Sequence, residues 1–249
     1  MDYPQLLECL AADSTQLRRL ASRDRSAPVP SCPQWTVDDL VRHVGEVYLH
    51  KTECMRQQRF PEPWPPDIAG EDSLELLDRA YQGLTEEFAA RAPGAPAVTW
   101  YEPEQTVGFW IRRMAQETVM HRVDAELAVA GEVSEIPEEL AVDGIDEVLE
   151  RFLVYGSHRW TEDFAPVLPE RDQPPVLVAT DGYGWLVRAT PDGATIDIAT
   201  PRTTAPASVC GDPVPLLLWL WRRADDGVEV EGDQGIIDEL RALLCAATQ

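Results

Sequence analysis

The chain has a single lysine, Lys51, in 249 residues whose acidic side chains outnumber the basic ones 44 to 21, for a formal net charge of −23. So few basic groups exclude partners that present dense negative charge, because phosphate backbones and anionic lipid require clusters of Lys and Arg. Neither nucleic acid nor a membrane surface is expected as a partner. A long apolar run is missing too. The longest, residues 214–221, contains Pro215 and falls well short of the roughly 20 residues that span a bilayer. No basic and apolar leader opens the sequence, so a cytoplasmic protein with reduced thiols is expected. Its cysteines, Cys9, Cys32, Cys54, Cys210 and Cys245, form no CxxC pair and keep no regular interval, which excludes a cysteine zinc site and a disulfide framework. No internal repeat or low-complexity tract is visible.

What is present suits one large or two ordinary domains: 44% of residues are hydrophobic and 26% charged, enough apolar material for a packed core. Two stretches place metal-ligand side chains where a helix buries apolar ones. In the second, Trp110, Met114, Glu117, His121, Ala125 and Ala128 follow steps of three and four and share one helix face. Glu117 and His121, one turn apart, can aim a carboxylate and an imidazole at one point. In the first, Leu40, His43, Val44 and Val47 form a similar stripe, so a histidine sits on the inward face there as well. Taken singly, a histidine such as His43 is more often a hydrogen-bonded core residue than a ligand, and Glu117 with His121 can simply be an i,i+4 pair. Taken together they call for a shared partner, since a buried carboxylate is costly unless paired or coordinated. Two His and one Glu form a three-ligand set for a catalytic metal with one position open. His50, two turns beyond His43, is roughly 10 Å further along the axis and reads as an outer or surface histidine. Asp124, one turn past His121, is a candidate to orient that ligand or to form a surface pair.

The helical pattern predicts four helices in the first half. The first follows Asp2 and Pro4 and keeps its apolar period to about Ala21; the second starts at Thr36, an N-cap with Asp39 at the third position, and runs to about Gln58. Trp35 is expected to staple its start. A proline-dense connector holding Trp64 separates it from a third helix, which opens at Ser73 with Leu74, Leu77, Tyr81, Leu84 and Phe88 on its apolar side. After a loop with an extended option at residues 98–101, the fourth helix covers residues 107–130. From Glu138 to Tyr155 one further helix is expected. The period then changes to two: residues 176–180 and 185–189 form a hairpin about Asp181-Gly182-Tyr183-Gly184, with strands at 195–198, 207–210 and 228–231 and helices at 213–223 and 234–244. The fold class is therefore α+β in two domains: a four-helix bundle over residues 1–135, and over residues 136–249 a small domain with a mostly antiparallel sheet flanked by helices.

The run from Cys32 to Gly45, CPQWTVDDLVRHVG, and the segment from Glu117 to Asp124 with Ala125-Glu126 resemble the two signatures of the mycothiol-dependent maleylpyruvate isomerase family. Gly211, the LLLWLW run at residues 216–221 and Gly232-Asp233 resemble its second domain. The resemblance covers nearly the whole chain. It implies a DinB-like metal-binding bundle followed by a sterol-carrier-like α+β domain. It also implies a divalent metal, usually zinc, on the residues matching His43, Glu117 and His121, and mycothiol, a cysteinyl pseudo-disaccharide of actinobacteria, as thiol cosubstrate. Members isomerise maleylpyruvate or transfer the thiol to an electrophile. A free thiol is mostly protonated at neutral pH whereas a metal-bound one is deprotonated; addition of the thiolate to a cis double bond gives a single bond that can rotate, and elimination then leaves the trans isomer. Transfer stops at the adduct.

Family members commonly carry glycine and then arginine after the Trp-Leu-Trp segment, where this chain has Arg222 and Arg223. Arg223 matches the family arginine and is the expected catalytic residue, with Arg222 in place of the glycine; capping the C-terminal end of the helix from Pro213 is the structural alternative for both. Other cationic candidates for an anionic substrate are Arg112, Arg113, Arg122 and Arg188. The expected activity is thus that of an isomerase or thiol S-transferase acting on a small-molecule electrophile. A metallohydrolase with metal-activated water, lacking an obvious general base, and a noncatalytic binding or regulatory protein on the same fold are the alternatives.

Overall fold

Reciprocal hydrogen bonds start the first helix: Gln5 N donates to Asp2 Oδ1 at 2.9 Å and Asp2 N to Gln5 Oε1 at 3.0 Å, with Pro4 in the first turn. The computed structural model describes residues 1–248, which divide into two units, the first being Met1–Glu135 and the second starting at Ile136. The first holds four helices, α1 (Tyr3–Ala21), α2 (Val37–Gln57), α3 (Ser73–Ala90) and α4 (Val107–Val129). Thr36 caps α2 with Asp39 returning the bond, Asp72 caps α3, and Thr106 caps α4 through Phe109 N. Helix α1 packs chiefly on α4 and α2 on α3. Helix α4 is buried on almost every side from Val107 to Glu126, and its polar groups there must find partners inside the protein.

Two sequence expectations for this unit change. The inward face of α3 is Leu76, Leu77, Ala80, Leu84 and Phe88, with Leu74 only partly buried. Helices α2 and α3 approach closely at Gly45, where a Cβ would stand 3.0 Å from Leu76 Cγ and 3.2 Å from Leu77 N; the closeness turns Leu76 inward. Residues 98–101 form no strand. Instead the Gln105 side chain takes up the loop's backbone groups, accepting from Thr99 N at 3.1 Å and donating to the Thr99 and Tyr101 carbonyls at 3.1 and 2.8 Å.

The second unit begins with α5 (Glu138–Asp146), which continues as a π-helical stretch, Glu147–Tyr155, into two short helices, α6 (Gly156–Arg159) and α7 (Thr161–Phe164). The sequence predicts one regular helix there. The i→i+5 turns gather Glu147, Val148, Leu149, Arg151 and Leu153, all buried, into a narrower arc than α-helical turns would. Five strands follow, β1 (Val176–Ala179), β2 (Gly184–Thr190), β3 (Gly193–Ala199), β4 (Ala207–Gly211) and β5 (Val228–Gly232), in the order β3-β2-β1-β4-β5. Only β1 and β4 pair in parallel. Helix α8 (Pro213–Leu220) buries every residue from Leu216 to Leu220, and α9 (Gln234–Ala247) closes the chain. Among the described residues no helix is long and apolar enough to cross a membrane.

The helix from Pro213 stops three residues earlier than the sequence predicts. Arg222 takes a left-handed conformation, φ 59°, while Arg222 N donates to the Trp219 carbonyl at 3.0 Å and Arg223 N to the Leu218 carbonyl at 2.8 Å. These two bonds and the left-handed residue define a Schellman ending, whose left-handed position is usually glycine. Arg222 therefore stands where a glycine would be least strained. Its guanidinium donates to the Thr248 carbonyl and hydroxyl, both at 3.2 Å, linking the end of α8 to the end of α9.

Candidate metal centre

Helices α2 and α4 meet over a small interface, and the three residues singled out by helical spacing converge there. Ligand atoms of His43, Glu117 and His121 all lie within 4.8 Å of one another. Both imidazoles turn Nε2 toward the same oxygen, with Glu117 Oε1 at 3.4 Å from His43 and 3.2 Å from His121. Ligands about 2.1 Å from a tetrahedral zinc stand roughly 3.4 Å apart. The donor set and its spacing therefore fit a divalent metal, which these residues could hold with only small adjustments.

Electrostatics prepare the carboxylate for that role. Burial alone would raise the Glu117 pKa, but the Arg113 guanidinium, which donates to Glu117 Oε2, and the His121 imidazole hold it well below the usual carboxylate range. His121 is pulled the same two ways: burial lowers it, yet Glu117 and Asp124 outweigh burial and raise it to about 9. A metal taking the Nε2 lone pair would displace that proton.

Asp124 is fully buried, with Oδ2 3.0 Å from His121 Nδ1. A carboxylate there requires the proton on Nδ1 and leaves Nε2 for the cluster, as second-sphere carboxylates do in metal sites. Ser31 Oγ donates to the other Asp124 oxygen at 2.5 Å. It comes from the proline-rich segment between α1 and α2, which Val29 N fastens by donating to the Trp35 carbonyl at 2.9 Å and Val37 N by donating to that of Ala27 at 3.0 Å. The segment also lays the Trp35 ring 5.0 Å from the His43 ring. Trp35 thus covers one of the candidate ligands as well as standing at the start of α2.

The other candidates fall elsewhere. His50 is not part of the cluster; its ring packs between Phe60 and Trp64. Arg122 is taken up by Asp13, Glu126 and Ser134, and Arg188 by the Gln173 carbonyl. Arg223 lies in the second unit, where it donates to the Trp221 carbonyl at 2.8 Å and stands 5.9 Å from the Trp221 ring. Burial raises the thiols of Cys9, Cys54 and Cys210, Cys54 to about 11, against what a nucleophile needs.

The profile described as the mycothiol maleylpyruvate isomerase N-terminal domain matches residues 7–126, and that of the C-terminal domain of the same family matches residues 139–239. The chain belongs to the mycothiol maleylpyruvate isomerase family. Among solved structures, the crystal structure of a mycothiol-dependent maleylpyruvate isomerase matches with a TM-score of 0.61 at 13% identity, covering 93% of each chain. A histidine-to-alanine mutant of that isomerase matches with a TM-score of 0.62 at 14% identity over the same share. These similarities carry the fold: a helical first domain of four helices and a second domain of mixed sheet and helices. No curated protein matches the chain. Against this family pattern, Ser31, Arg113 and Trp35 are the site residues that sequence reasoning did not assign to the centre. Arg113, one turn before Glu117, was the most accessible of the three, since i,i+4 spacing puts it beside that carboxylate.

Proposed function

We propose that the protein is a metal-dependent enzyme that uses mycothiol as its thiol cosubstrate and adds it to a small electrophile, as a maleylpyruvate isomerase-like cis–trans isomerase or as a thiol S-transferase. The observation that carries this reading is the convergence of His43, Glu117 and His121 within 4.8 Å, in a chain whose two domains match that family. A divalent metal on these residues, zinc in this reading, would hold a bound thiol deprotonated at neutral pH. The chain's own groups do the rest. Arg113 keeps Glu117 ionised, Asp124 keeps the His121 proton on Nδ1, and Trp35 shields His43 from water on one side. This reading takes its nucleophile from the added thiol, with the thiols of Cys9, Cys54 and Cys210 raised by burial. Arg223 is proposed as the arginine that binds an anionic group of the substrate, a role that rests on the family resemblance; within its own domain it donates to the Trp221 carbonyl at the end of α8.

The test is product mass. Purified, metal-loaded protein is incubated with mycothiol and a panel of cis-alkene and other electrophiles. An adduct equal in mass to electrophile plus thiol indicates transfer, and an unchanged mass with a cis-to-trans change in the proton spectrum indicates isomerisation. Conversion at the same rate without thiol would overturn the reading in favour of metal-activated water.

A further inference from the structure

The only lysine of the chain, Lys51, lies on α2 eight residues beyond His43, one of the three candidate metal residues. Helices α2 and α4 run antiparallel past that centre. His43 faces Glu117 and His121, and eight residues further along α2 the Lys51 ammonium lies 5.1 Å from the centroid of the Trp110 ring, seven residues before Glu117 on α4. Trp110 is fully buried and its Nε1–H is committed to the Val98 carbonyl at 3.0 Å, so a fixed ring serves as the wall against which the ammonium rests. On its other side Lys51 Nζ donates to His50 Nδ1 at 3.1 Å. Burial, with Lys51 beside it, pushes His50 down to about 4. His50 is therefore a neutral acceptor that orients the ammonium without cancelling its charge.

Nothing else cancels it. Among the described residues Lys51 forms no ion pair, although the chain carries 44 carboxylate side chains. Cys54 and, less strongly, Glu117 act on it only through space; burial raises the Cys54 thiol to about 11, and Glu117 is itself bound to Arg113. Burial lowers Lys51 to about 8, the direction expected of an ammonium without a counter-ion. One uncompensated positive charge, partly buried and fixed about two turns along α2 from the candidate metal residues, matches a single carboxylate group better than a doubly charged phosphate group.

We infer that Lys51, held between Trp110 and His50, binds a carboxylate of the electrophile and so selects anionic substrates at this site. That the carboxylate belongs to an electrophile rests on the thiol-addition reading above; the anion subsite itself does not.

A single lysine makes the test direct. Full-length protein grown with 13Cε-lysine gives one side-chain signal, which is followed while maleate, or its neutral analogue dimethyl maleate, is added. Maleate is expected to shift the signal saturably and the diester to leave it in place. Lys51→Met is expected to weaken maleate binding by about tenfold or more, the loss of one charge-assisted hydrogen bond, with Lys51→Arg between the two. An unmoved lysine signal, or equal maleate affinity in wild type and Lys51→Met, overturns the assignment. The wild-type titration decides the matter even where the methionine variant fails to fold. A maleate-dependent shift in protein without thiol-dependent turnover would sink the thiol reading and leave the carboxylate subsite standing.

Discussion

Asp124 and His121 form a buried carboxylate–imidazole pair, 3.0 Å from Oδ2 to Nδ1, whose second carboxylate oxygen is tied by Ser31 to the proline-rich segment between α1 and α2. The pair fixes which nitrogen of His121 faces Glu117. It also couples the candidate metal centre to a distant loop, since Ser31 and Asp124 are 93 positions apart.

Removing that carboxylate should loosen the metal without dismantling the bundle. Asp124→Ala is expected to weaken divalent-metal affinity by roughly 10- to 100-fold, the usual effect of losing a second-sphere partner, measured by competition with a chromogenic chelator. Unchanged affinity with a lowered melting temperature would make Asp124 only a brace for the loop.

Asp13 gives the fold a pH dependence of its own. It shares the Arg122 guanidinium with Glu126, two carboxylates on one cation, and its Oδ2 is buried without a partner among the described residues. Burial, only partly offset by Arg122, raises its pKa from 3.8 to about 6. The folded protein thus holds this proton more tightly than the unfolded chain does, so the associated stability is fully present below about pH 4 and is lost as the pH rises through about 6. The total is on the order of 2–3 kcal/mol. Urea unfolding between pH 4.5 and 7 should show a correspondingly flatter stability profile in Asp13→Asn than in wild type; parallel profiles would rule out Asp13 as the titrating group.

Arg223 separates substrate binding from helix capping by a split of readouts. Arg223→Met is expected to leave metal content and melting temperature nearly unchanged while raising KM or lowering kcat by about tenfold or more, the loss of a hydrogen bond to a charged group. Lost stability with unchanged kinetics in the folded fraction would assign it to the end of α8, beside Trp221.

The candidate centre is legible because His43, Glu117 and His121 each interrupt an apolar stripe at a helical position that an aliphatic residue would normally fill. The caps at Asp2 and Thr36 are likewise local, as is the strand alternation of the second domain. What escaped depends on contacts between distant segments. Lys51 meets Trp110 only because α2 and α4 run antiparallel, and His50 is fixed by Phe60 and Trp64 from a connector whose path no periodicity encodes. Leu76 displaces Leu74 from the core because Gly45 lets two backbones approach. The π-helical turns after Asp146 have no sequence signature; that stretch packs on β3 and α9, segments remote in sequence. Arg222 is the instructive middle case. The family glycine marks this position in the sequence, yet the left-handed residue and the early end of the helix become visible only in the backbone that closes it.

Metal analysis bears most directly on the central claim. Purified wild-type protein is expected to carry about one divalent metal per chain, and the Glu117→Ala/His121→Ala double variant essentially none, with the helical circular dichroism of the two indistinguishable. Full metal occupancy in the double variant, or a wild-type protein that binds no divalent metal at any stoichiometry, would contradict it.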